Sequence, residues 1–288
     1  FTTTIRECRE IYESTGVLSS VDEFVEWVQE REYYDDQIQF QRTVAARTPV
    51  TRTCEMDARV TDQLADRGID ELYAHQVDAI DAVRNGQNVV LATPTASGKS
   101  LTYTISALER ACNHDGRTLY IGPQVALIND QEATLTEFAE PFADLSVTQY
   151  TGALSSPERQ QARDDEPSIV LTTPDMLHCG LLSHATDIWR SFFESLELVV
   201  VDEVHEYRGV FGSHVGLVCR RLARICDQFG ADPQFVCCSA TIGNPREHAA
   251  TITGHAPDSF VLINEDTSET GPTHWLFWQP PKYDEGDA

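Results

Sequence analysis

The stretch at residues 88–100, NVVLATPTASGKS, constrains the fold of this chain more than any other. It opens on the apolar run at residues 89–92, which is typical of a buried parallel strand. Small and polar residues follow as far as Gly98-Lys99-Ser100, and the residues from 101 to 105 predict the start of a helix. A strand, a small-residue loop, Gly-Lys-Ser and a helix form the arrangement of a phosphate-binding loop, whose backbone N–H groups face the anion.

The lysine of this loop gives the motif its chemistry. Lys99 is one of only two lysines in the chain, the other being Lys282. Its ammonium would reach the β and γ phosphates of a nucleotide, and the Ser100 hydroxyl would bind Mg²⁺. Thr93 stands where the first glycine of the pattern is usual, so a flexible loop before an ordinary helix is the alternative, but it gives no reason for a lysine here. The predicted phosphate contacts are Thr95, Ala96, Ser97, Gly98, Lys99 and Ser100.

Apolar runs alternate with helical stretches after this loop. We predict strands at residues 117–122, 146–150, 168–172, 196–201, 234–238 and 260–263. Such alternation predicts an α/β fold with a mainly parallel sheet covered by helices on both faces. Ligands of these sheets lie at the carboxyl ends of the strands, and the polar motifs of this chain follow the predicted strands directly.

Two helical patterns precede the loop. Residues 21–34 have apolar side chains at helical spacing with Ser20 as a possible N-cap, and residues 35–53 predict an extended connector. This N-terminal segment is interpreted as a solvated appendage, with a partner-binding arm as the alternative. The helical pattern of residues 57–83 contains Tyr73 and Gln76. The Gln76 amide could pair with the donor and acceptor edge of adenine, while Tyr73 could stack on the base.

The charge balance is strongly acidic, with 46 Asp and Glu residues against 21 Lys and Arg and a net charge of −25. An acidic total normally argues against nucleic acid as a partner. Molar salt reduces the Debye length to about 3 Å and screens such repulsion. Abundant acid with scarce lysine is similar to the composition of proteins from salt-accumulating haloarchaea, which we favour over adaptation to a basic partner.

The cysteines and the hydropathy pattern indicate the compartment. Eight cysteines form no CxxC pair and no zinc or iron–sulfur spacing, and Cys237-Cys238 fall within an apolar run, which predicts core thiols. No apolar run is long enough to span a membrane, and the N-terminal residues do not resemble a signal peptide. We therefore expect a reducing, cytoplasmic location.

Taken together, the motifs carry a family resemblance. Gln76, TASGKS, PQVALINDQ, Thr151-Gly152, TTPDM, DEVH and SAT, in this order, resemble the first RecA-like domain of superfamily 2 helicases. The stretches DEVHEYRGVFGSHVGLVCRRLARIC and PQFVCCSATIGNP are similar to the DNA-helicase family that includes the RecQ4-related fungal helicase and a bacterial mitomycin-repair helicase. The resemblance covers roughly residues 57–280 and implies a RecA-like phosphate-loop NTPase fold.

The resemblance implies roles for the ATP site. Ser100 and Asp202 would hold Mg²⁺, and Glu203 would orient and deprotonate the attacking water. His205 would couple the nucleotide state to the DNA track, together with Ser239, Ala240 and Thr241. An acidic turn after a core strand is the alternative interpretation of DEVH.

The resemblance also implies a nucleic-acid track and a domain order. Single-stranded DNA or duplex junctions would contact Pro123, Gln124, Val125, Ala126, Thr151, Gly152, Thr173, Pro174 and Asp175, largely through main-chain N–H groups. Such contacts need no basic patch. We expect an N-terminal appendage at residues 1–56, the RecA-like domain at 57–262 and, at 263–288, a linker toward a second RecA-like domain that supplies an arginine finger. The cofactors would be ATP and Mg²⁺.

The function implied is ATP-driven movement on DNA, with 3′-to-5′ polarity and a role in DNA repair. The ATPase motifs do not separate this function from an RNA-directed helicase or a translocase that does not unwind. A nucleotide-switched binding module is a further alternative from a different functional class.

Overall fold

A computed structural model describes residues 20–280, apart from the side chains of Asn113 and His114. Contacts divide the described residues into two compact units, one of residues 49–268 and a smaller one of residues 20–48 with 269–280. Cys8 and Lys282 lie outside the described residues. The expected domain boundaries, at 56/57 and 262/263, lie several residues from these divisions. The expected division into an appendage, a RecA-like domain and a linker stays a prediction.

The larger unit contains a seven-stranded sheet. Its strands are β4 (Asn88–Leu91), β5 (Arg117–Ile121), β6 (Val147–Gln149), β7 (Ile169–Thr172), β8 (Leu196–Val201), β9 (Gln234–Cys238) and β10 (Phe260–Ile263). They lie in the order β10-β4-β9-β8-β5-β7-β6 and every neighbouring pair is parallel. The predicted parallel α/β sheet is therefore confirmed, and every strand predicted after the loop is present within one or two residues of its expected ends.

Helices cover this sheet. They are α2 (Ala58–Asp66), α3 (Ala74–Arg84), α4 (Lys99–His114), α5 (Val125–Ala139), α6 (Ser156–Asp164), the short α7 (Pro174–Met176) and α8 (Arg190–Glu194), α9 (Gly209–Phe229) and α10 (Pro245–Thr253). The helical pattern of residues 57–83 is interrupted, because residues 72–73 form a short strand, β3 (Leu72–Tyr73), that pairs with β2 (Thr51–Arg52).

The strands are apolar on both faces because both faces are covered. Val199 and Val201 belong to one buried cluster, which also contains side chains of α9 and α10. Leu198 and Val200 belong to a second cluster, which contains side chains of α3, α4 and α5. Alternate residues of a strand point to opposite faces. A continuous apolar run such as that of β8 is therefore the pattern that a doubly covered sheet requires.

The smaller unit contains the helix α1 (Val21–Gln29) and a two-stranded antiparallel sheet of β1 (Ile38–Val44) and β11 (Thr273–Trp278). The predicted N-cap is present, since the Ser20 hydroxyl accepts a hydrogen bond from the Glu23 amide at 3.2 Å. The sequence predicts extended chain for residues 35–53, which contain β1, but only a linker for residues 263–288. It therefore predicts neither β11 nor the pairing of β11 with β1. Their antiparallel register joins segments more than 200 residues apart, for example Thr43 with His274.

Candidate nucleotide and nucleic-acid site

The phosphate loop joins β4 to α4 at the carboxyl edge of the sheet. Ala96 and Gly98 both have left-handed backbone conformations, with φ of 63° and 79°. The Thr93 hydroxyl, at the position of the usual first glycine, is buried and lies 2.7 Å from the Ser97 hydroxyl. Thr95 and Ala96 are exposed at the tip, and α4 begins at Lys99. The predicted strand-loop-helix arrangement is thus present, with a side-chain hydrogen bond closing the loop.

Lys99 lies across this loop. Its ammonium donates to the carbonyl oxygens of Thr93 at 2.9 Å and Pro94 at 2.8 Å. These two bonds hold the ammonium against the loop, at the N-terminus of a 16-residue helix. A helix N-terminus and an ammonium group both attract anions, so this loop can hold a phosphate.

Gln76 ties the adjoining helix to the loop. Its amide nitrogen donates to the Gly98 carbonyl oxygen at 2.7 Å, and its amide oxygen accepts from the Tyr73 N–H at 2.9 Å. A glutamine amide has two donors and two acceptor positions. One donor and one acceptor therefore remain, which is the pair that the edge of adenine requires. The Tyr73 ring, half-buried, stacks on the His75 ring at a centroid distance of 5.7 Å.

His75 is a site residue that the sequence reasoning missed. Its Nε2 lies 3.0 Å from the Ser97 carbonyl oxygen, while its Nδ1 lies 3.3 Å from the Thr267 N–H and 2.8 Å from the Thr267 hydroxyl. Because a carbonyl only accepts and an N–H only donates, the ring is the neutral tautomer with its proton on Nε2. Burial lowers the pKa of His75 and favours this neutral form. Its position beside Gln76 is the only sequence signal.

The acidic pair follows β8 directly. Asp202 accepts a hydrogen bond from the Glu203 N–H at 2.8 Å, and its own N–H bonds the Ile121 carbonyl oxygen at 3.0 Å. Glu203 has φ of 48°, a strained conformation for a residue with a Cβ. Burial, followed by the neighbouring Asp202 charge, raises the pKa of Glu203. An elevated carboxylate pKa is the property that a general base needs near neutral pH.

Two tyrosines hold the other oxygen of Asp202. Tyr120 lies in β5 and its hydroxyl donates to Asp202 Oδ2 at 2.7 Å. Tyr103 lies in α4 with its hydroxyl 3.3 Å from the same oxygen and 2.9 Å from Gln131 Oε1. The sequence analysis assigned no role to either tyrosine or to Gln131, although Gln131 ends the PQVALINDQ motif. A tyrosine within an otherwise apolar strand is the signal that could have indicated Tyr120.

His205 connects the acidic pair to the segment after β9. Its Nδ1 lies 3.3 Å from the Ala240 N–H and 3.1 Å from Glu203 Oε2, and its Nε2 lies 3.4 Å from Glu206 Oε1. Nδ1 can accept from Ala240 or donate to Glu203, but not both in one tautomer. Ser239 is buried and its hydroxyl donates to the Ala240 carbonyl oxygen, whereas Thr241 is exposed. The structure therefore brings His205 together with Ser239-Ala240.

The residues predicted to contact nucleic acid lie at the ends of three adjacent strands, β5, β7 and β6. Pro123, Gln124, Val125 and Ala126 lead into α5, Thr151 and Gly152 follow β6, and Thr173, Pro174 and Asp175 follow β7. Gly152 and Asp175 are exposed, while Thr151 is buried and its hydroxyl has no hydrogen-bond partner in the described residues. The three segments form one row along the carboxyl edge, beside the acidic pair.

The fold and this arrangement of motifs define a RecA-like nucleotide-binding domain of the helicase class. The family model described as DEAD/DEAH box helicase matches residues 73–248. The chain therefore belongs to the DEAD/DEAH box helicase family, as the motifs predict.

Relatives narrow this class further. The chain is 44% identical to the ATP-dependent helicase YprA of Bacillus subtilis, over 78% of this chain and 30% of YprA. It is 36% identical to the ATP-dependent helicase HRQ1 of Saccharomyces cerevisiae, over 94% of this chain and 25% of HRQ1. The chain thus matches less than a third of either relative's length. The resemblance predicted from the sequence, to the helicase family that includes the RecQ4-related fungal helicase, is confirmed.

A solved structure agrees with these relatives. The DUF1998 helicase MrfA bound to DNA and AMPPNP superimposes with a TM-score of 0.85 at 39% identity, over 93% of this chain and 37% of that chain. The DEAD-box helicase Mss116 bound to single-stranded RNA has a TM-score of 0.63 at 15% identity over 73% of this chain, which is a likeness of fold alone.

Proposed function

We propose that this chain is the ATP-binding motor domain of an ATP-dependent DNA helicase, which hydrolyses ATP with Mg²⁺ to move on single-stranded DNA. One observation carries the proposal. The phosphate loop and the Asp202-Glu203 pair follow β4 and β8, which are separated only by β9, so both lie at the same edge of the sheet. The likeness to MrfA bound to DNA and AMPPNP supports the choice of ligands.

The side chains at this edge fit magnesium. Within residues 20–280, no three His, Cys, Asp or Glu side chains form a cluster that could hold a metal by themselves. Magnesium is usually bound by one or two carboxylates together with waters and substrate phosphates. Asp202 supplies a carboxylate and Ser100 a hydroxyl, and the ion would neutralise charge on the phosphates.

Each side chain then has a role. Lys99 binds the β and γ phosphates, Gln76 recognises adenine and Tyr73 stacks on the base. Glu203 accepts a proton from the attacking water, and its burial keeps its proton affinity high enough for this step. Main-chain groups of Thr95, Ala96, Ser97 and Gly98 face the phosphates.

A groove beside the strand-end row supports a polyanionic partner. It encloses about 600 Å³ between Pro174-Asp175 and α9, and its charged lining consists of Asp175, Arg220, Arg221 and Arg224. Arg220 and Arg221 also donate to backbone carbonyl oxygens. Within a chain of net charge −25, this is a local concentration of positive charge. Arginine guanidinium groups bind phosphate oxygens well, so a phosphodiester backbone is a suitable partner.

The whole protein's properties follow as part of the proposal. A second RecA-like domain would supply the arginine that completes the ATP site, and the linker toward it would begin near residue 263. His205 and residues 239–241 would transmit the nucleotide state to the DNA track. Polarity from 3′ to 5′ and a role in DNA repair are proposed from the family resemblance, and a cytoplasmic location is proposed from the free cysteines of the described residues. Across residues 20–280, no helix has the length and apolarity needed to cross a membrane.

Nucleotide binding is the direct test of this function. Lys99→Ala removes the cation that faces the loop, so isothermal titration of the folded variant with Mg²⁺-ATP should show no measurable heat of binding. Arg190→Ala is the matched control, because Arg190 is an exposed cation paired with Glu194 on the helix α8. Unchanged affinity in a folded Lys99→Ala protein would show that the phosphate-loop assignment is wrong. Unwinding assays of the longer protein on DNA and RNA duplexes would then separate the helicase from a translocase or a binding switch.

A further inference from the structure

We propose that Tyr120 and Tyr103 are positioning residues for Asp202, and that the Tyr103 hydroxyl couples helix α5 to the magnesium–nucleotide site. This inference rests on the proposed function for its ligands. It concerns Tyr103 and Tyr120, which lie outside the motifs that carry the family resemblance, and Gln131, the last residue of the PQVALINDQ motif.

The first step is that Tyr120 fixes the carboxylate. The Tyr120 side chain is 1% exposed, and its hydroxyl is 2.7 Å from Asp202 Oδ2. The Glu203 N–H occupies Oδ1 at 2.8 Å, so both oxygens of Asp202 have a donor. Asp202 is half-buried, and a carboxylate whose two oxygens both accept hydrogen bonds from fixed donors keeps one orientation. Such outer hydrogen bonds orient metal-binding carboxylates and determine their affinity.

The local packing makes room for this tyrosine. A Cβ placed on Gly122 would lie 3.0 Å from Cε1 of the Tyr120 ring and 3.6 Å from its hydroxyl. The Tyr103 and Tyr120 rings lie 5.7 Å apart at an interplanar angle of 55°. Both rings are therefore held in a packed core, and their hydroxyls are directed to a single oxygen of Asp202.

The second step is that Tyr103 has one proton and two acceptors. Its hydroxyl lies 2.9 Å from Gln131 Oε1 and 3.3 Å from Asp202 Oδ2. A tyrosine hydroxyl donates a single hydrogen, so the two acceptors compete for it. The shorter distance favours the hydrogen bond to Gln131.

The third step is the position of the two acceptors. Gln131 belongs to α5, whose first residues follow the proposed nucleic-acid contacts Pro123 and Gln124. Asp202 is the proposed carboxylate for Mg²⁺. A shift of α5 that lengthens the Gln131 contact would let the Tyr103 hydroxyl turn its hydrogen bond to Asp202 while keeping its proton. A nucleotide that holds Asp202 would act in reverse. Binding at the two sites is then linked in both directions.

Four variants of the 288-residue chain test these steps. Tyr120→Phe and Tyr103→Phe each remove one hydroxyl, and Gln131→Met removes the competing acceptor. Tyr207→Phe is the matched control, since Tyr207 is also 1% exposed but its hydroxyl has no hydrogen-bond partner in the described residues. Binding of a fluorescent N-methylanthraniloyl ATP is titrated against Mg²⁺, with and without oligodeoxythymidine.

Each variant has its own expected result. Tyr120→Phe should raise the Mg²⁺ concentration for half-maximal nucleotide binding about 10-fold, the lower end of the effect of such outer hydrogen bonds on metal affinity. Tyr103→Phe should abolish the change in nucleotide affinity caused by the oligonucleotide, which we expect to be about 5-fold in the wild type. Gln131→Met should also abolish that change, but should bind nucleotide without DNA at least as tightly as the wild type. Tyr207→Phe should match the wild type throughout.

The results separate the inference from the proposed function. If the wild type bound no nucleotide, the proposed function would fail, and thermal unfolding of the nucleotide-free chain would still test Tyr120. Tyr120→Phe should then melt at a lower temperature than Tyr207→Phe, and equal melting would overturn the positioning role. A wild-type Mg²⁺ dependence in Tyr120→Phe, or full coupling in Tyr103→Phe, would overturn the proposal while leaving the proposed function intact.

Discussion

At the scale of single residues, the ATP site depends on side chains that bind the backbone of the loop. The side chains of Gln76 and His75 each form hydrogen bonds through two polar atoms. One bond of each side chain reaches the phosphate loop: Gln76 bonds the Gly98 carbonyl oxygen, and His75 bonds the Ser97 carbonyl oxygen. Both side chains are buried, at 2% and 1% exposure. A buried polar group that loses its partner costs about 1–3 kcal/mol, so these bonds hold the loop in one conformation.

Gly98 gives the sharpest test at this scale. A Cβ there would lie 2.5 Å from Gln76 Nε2, and φ is +79°. Gly98→Ala should therefore lower the free energy of unfolding and weaken ATP binding, because it displaces the Gln76 amide in addition to the strain of about 1–2 kcal/mol for a left-handed residue. Gly68→Ala is the matched control, with φ of +73° and no atom within 4 Å of its Cβ. Chemical denaturation and ATP titration compare the two, and an equal loss of stability in both would contradict the close contact.

At the scale of elements, β8 and β9 carry the acidic pair and the Ser239-Ala240 segment at their carboxyl ends. Adjacent residues of β9 point to opposite faces, so that Cys237 and Cys238 belong to different buried clusters. All cysteines of the described residues are free thiols, and these two are fully buried. The prediction that Cys237 and Cys238 are core thiols is therefore confirmed. Burial also raises the pKa of Cys219 on α9 to about 12.

The protection of β9 and α9 from solvent can be measured by the reactivity of their cysteine thiols. Cys112 and Cys179 are exposed, so iodoacetamide should modify them first in the native chain. Cys219, Cys237 and Cys238 should react only after unfolding, because burial hides each sulfur and disfavours the thiolate. Peptide mapping by mass spectrometry follows each position separately. Rapid native labelling of Cys238 would show that β9 is not protected at the centre of the sheet.

At the scale of the whole molecule, surface charge is the dominant feature. The described ion pairs join arginine or histidine to acidic partners, and 46 acidic residues exceed the 21 basic ones. Repulsion among the excess carboxylates destabilises the compact state at low salt and is screened at high salt. The acidic composition proposed as an adaptation to high salt makes a direct prediction about stability.

The melting temperature should rise between low and molar KCl. A gain of about 2 kcal/mol would shift it by roughly 4–8 °C in a domain of this size. Sucrose is the control, since it stabilises folded proteins by exclusion from their surface and does not screen charge. A melting temperature that stays constant or falls across the KCl range would exclude the high-salt interpretation.

The sequence by itself determined the periodic and local features of this protein. The continuous apolar run of β8 predicts a strand buried on both faces, and TASGKS between β4 and α4 predicts the phosphate loop, because both depend on neighbouring residues. Order along the chain also placed the polar motifs at the strand ends, and the motifs together predicted the helicase family.

Only the tertiary structure decided which distant groups meet. Asp202 is bonded by Tyr120 and Tyr103, which lie 82 and 99 positions away in the sequence. His75 and Thr267 are 192 positions apart, and the paired residues of β1 and β11 are more than 200 positions apart. Local periodicity carries no information on such pairs. A buried tyrosine contributes apolar area wherever it packs, and the direction of its hydroxyl is set only when the sheet and helices come together. The positioning of the acidic carboxylate therefore belongs to the packed core.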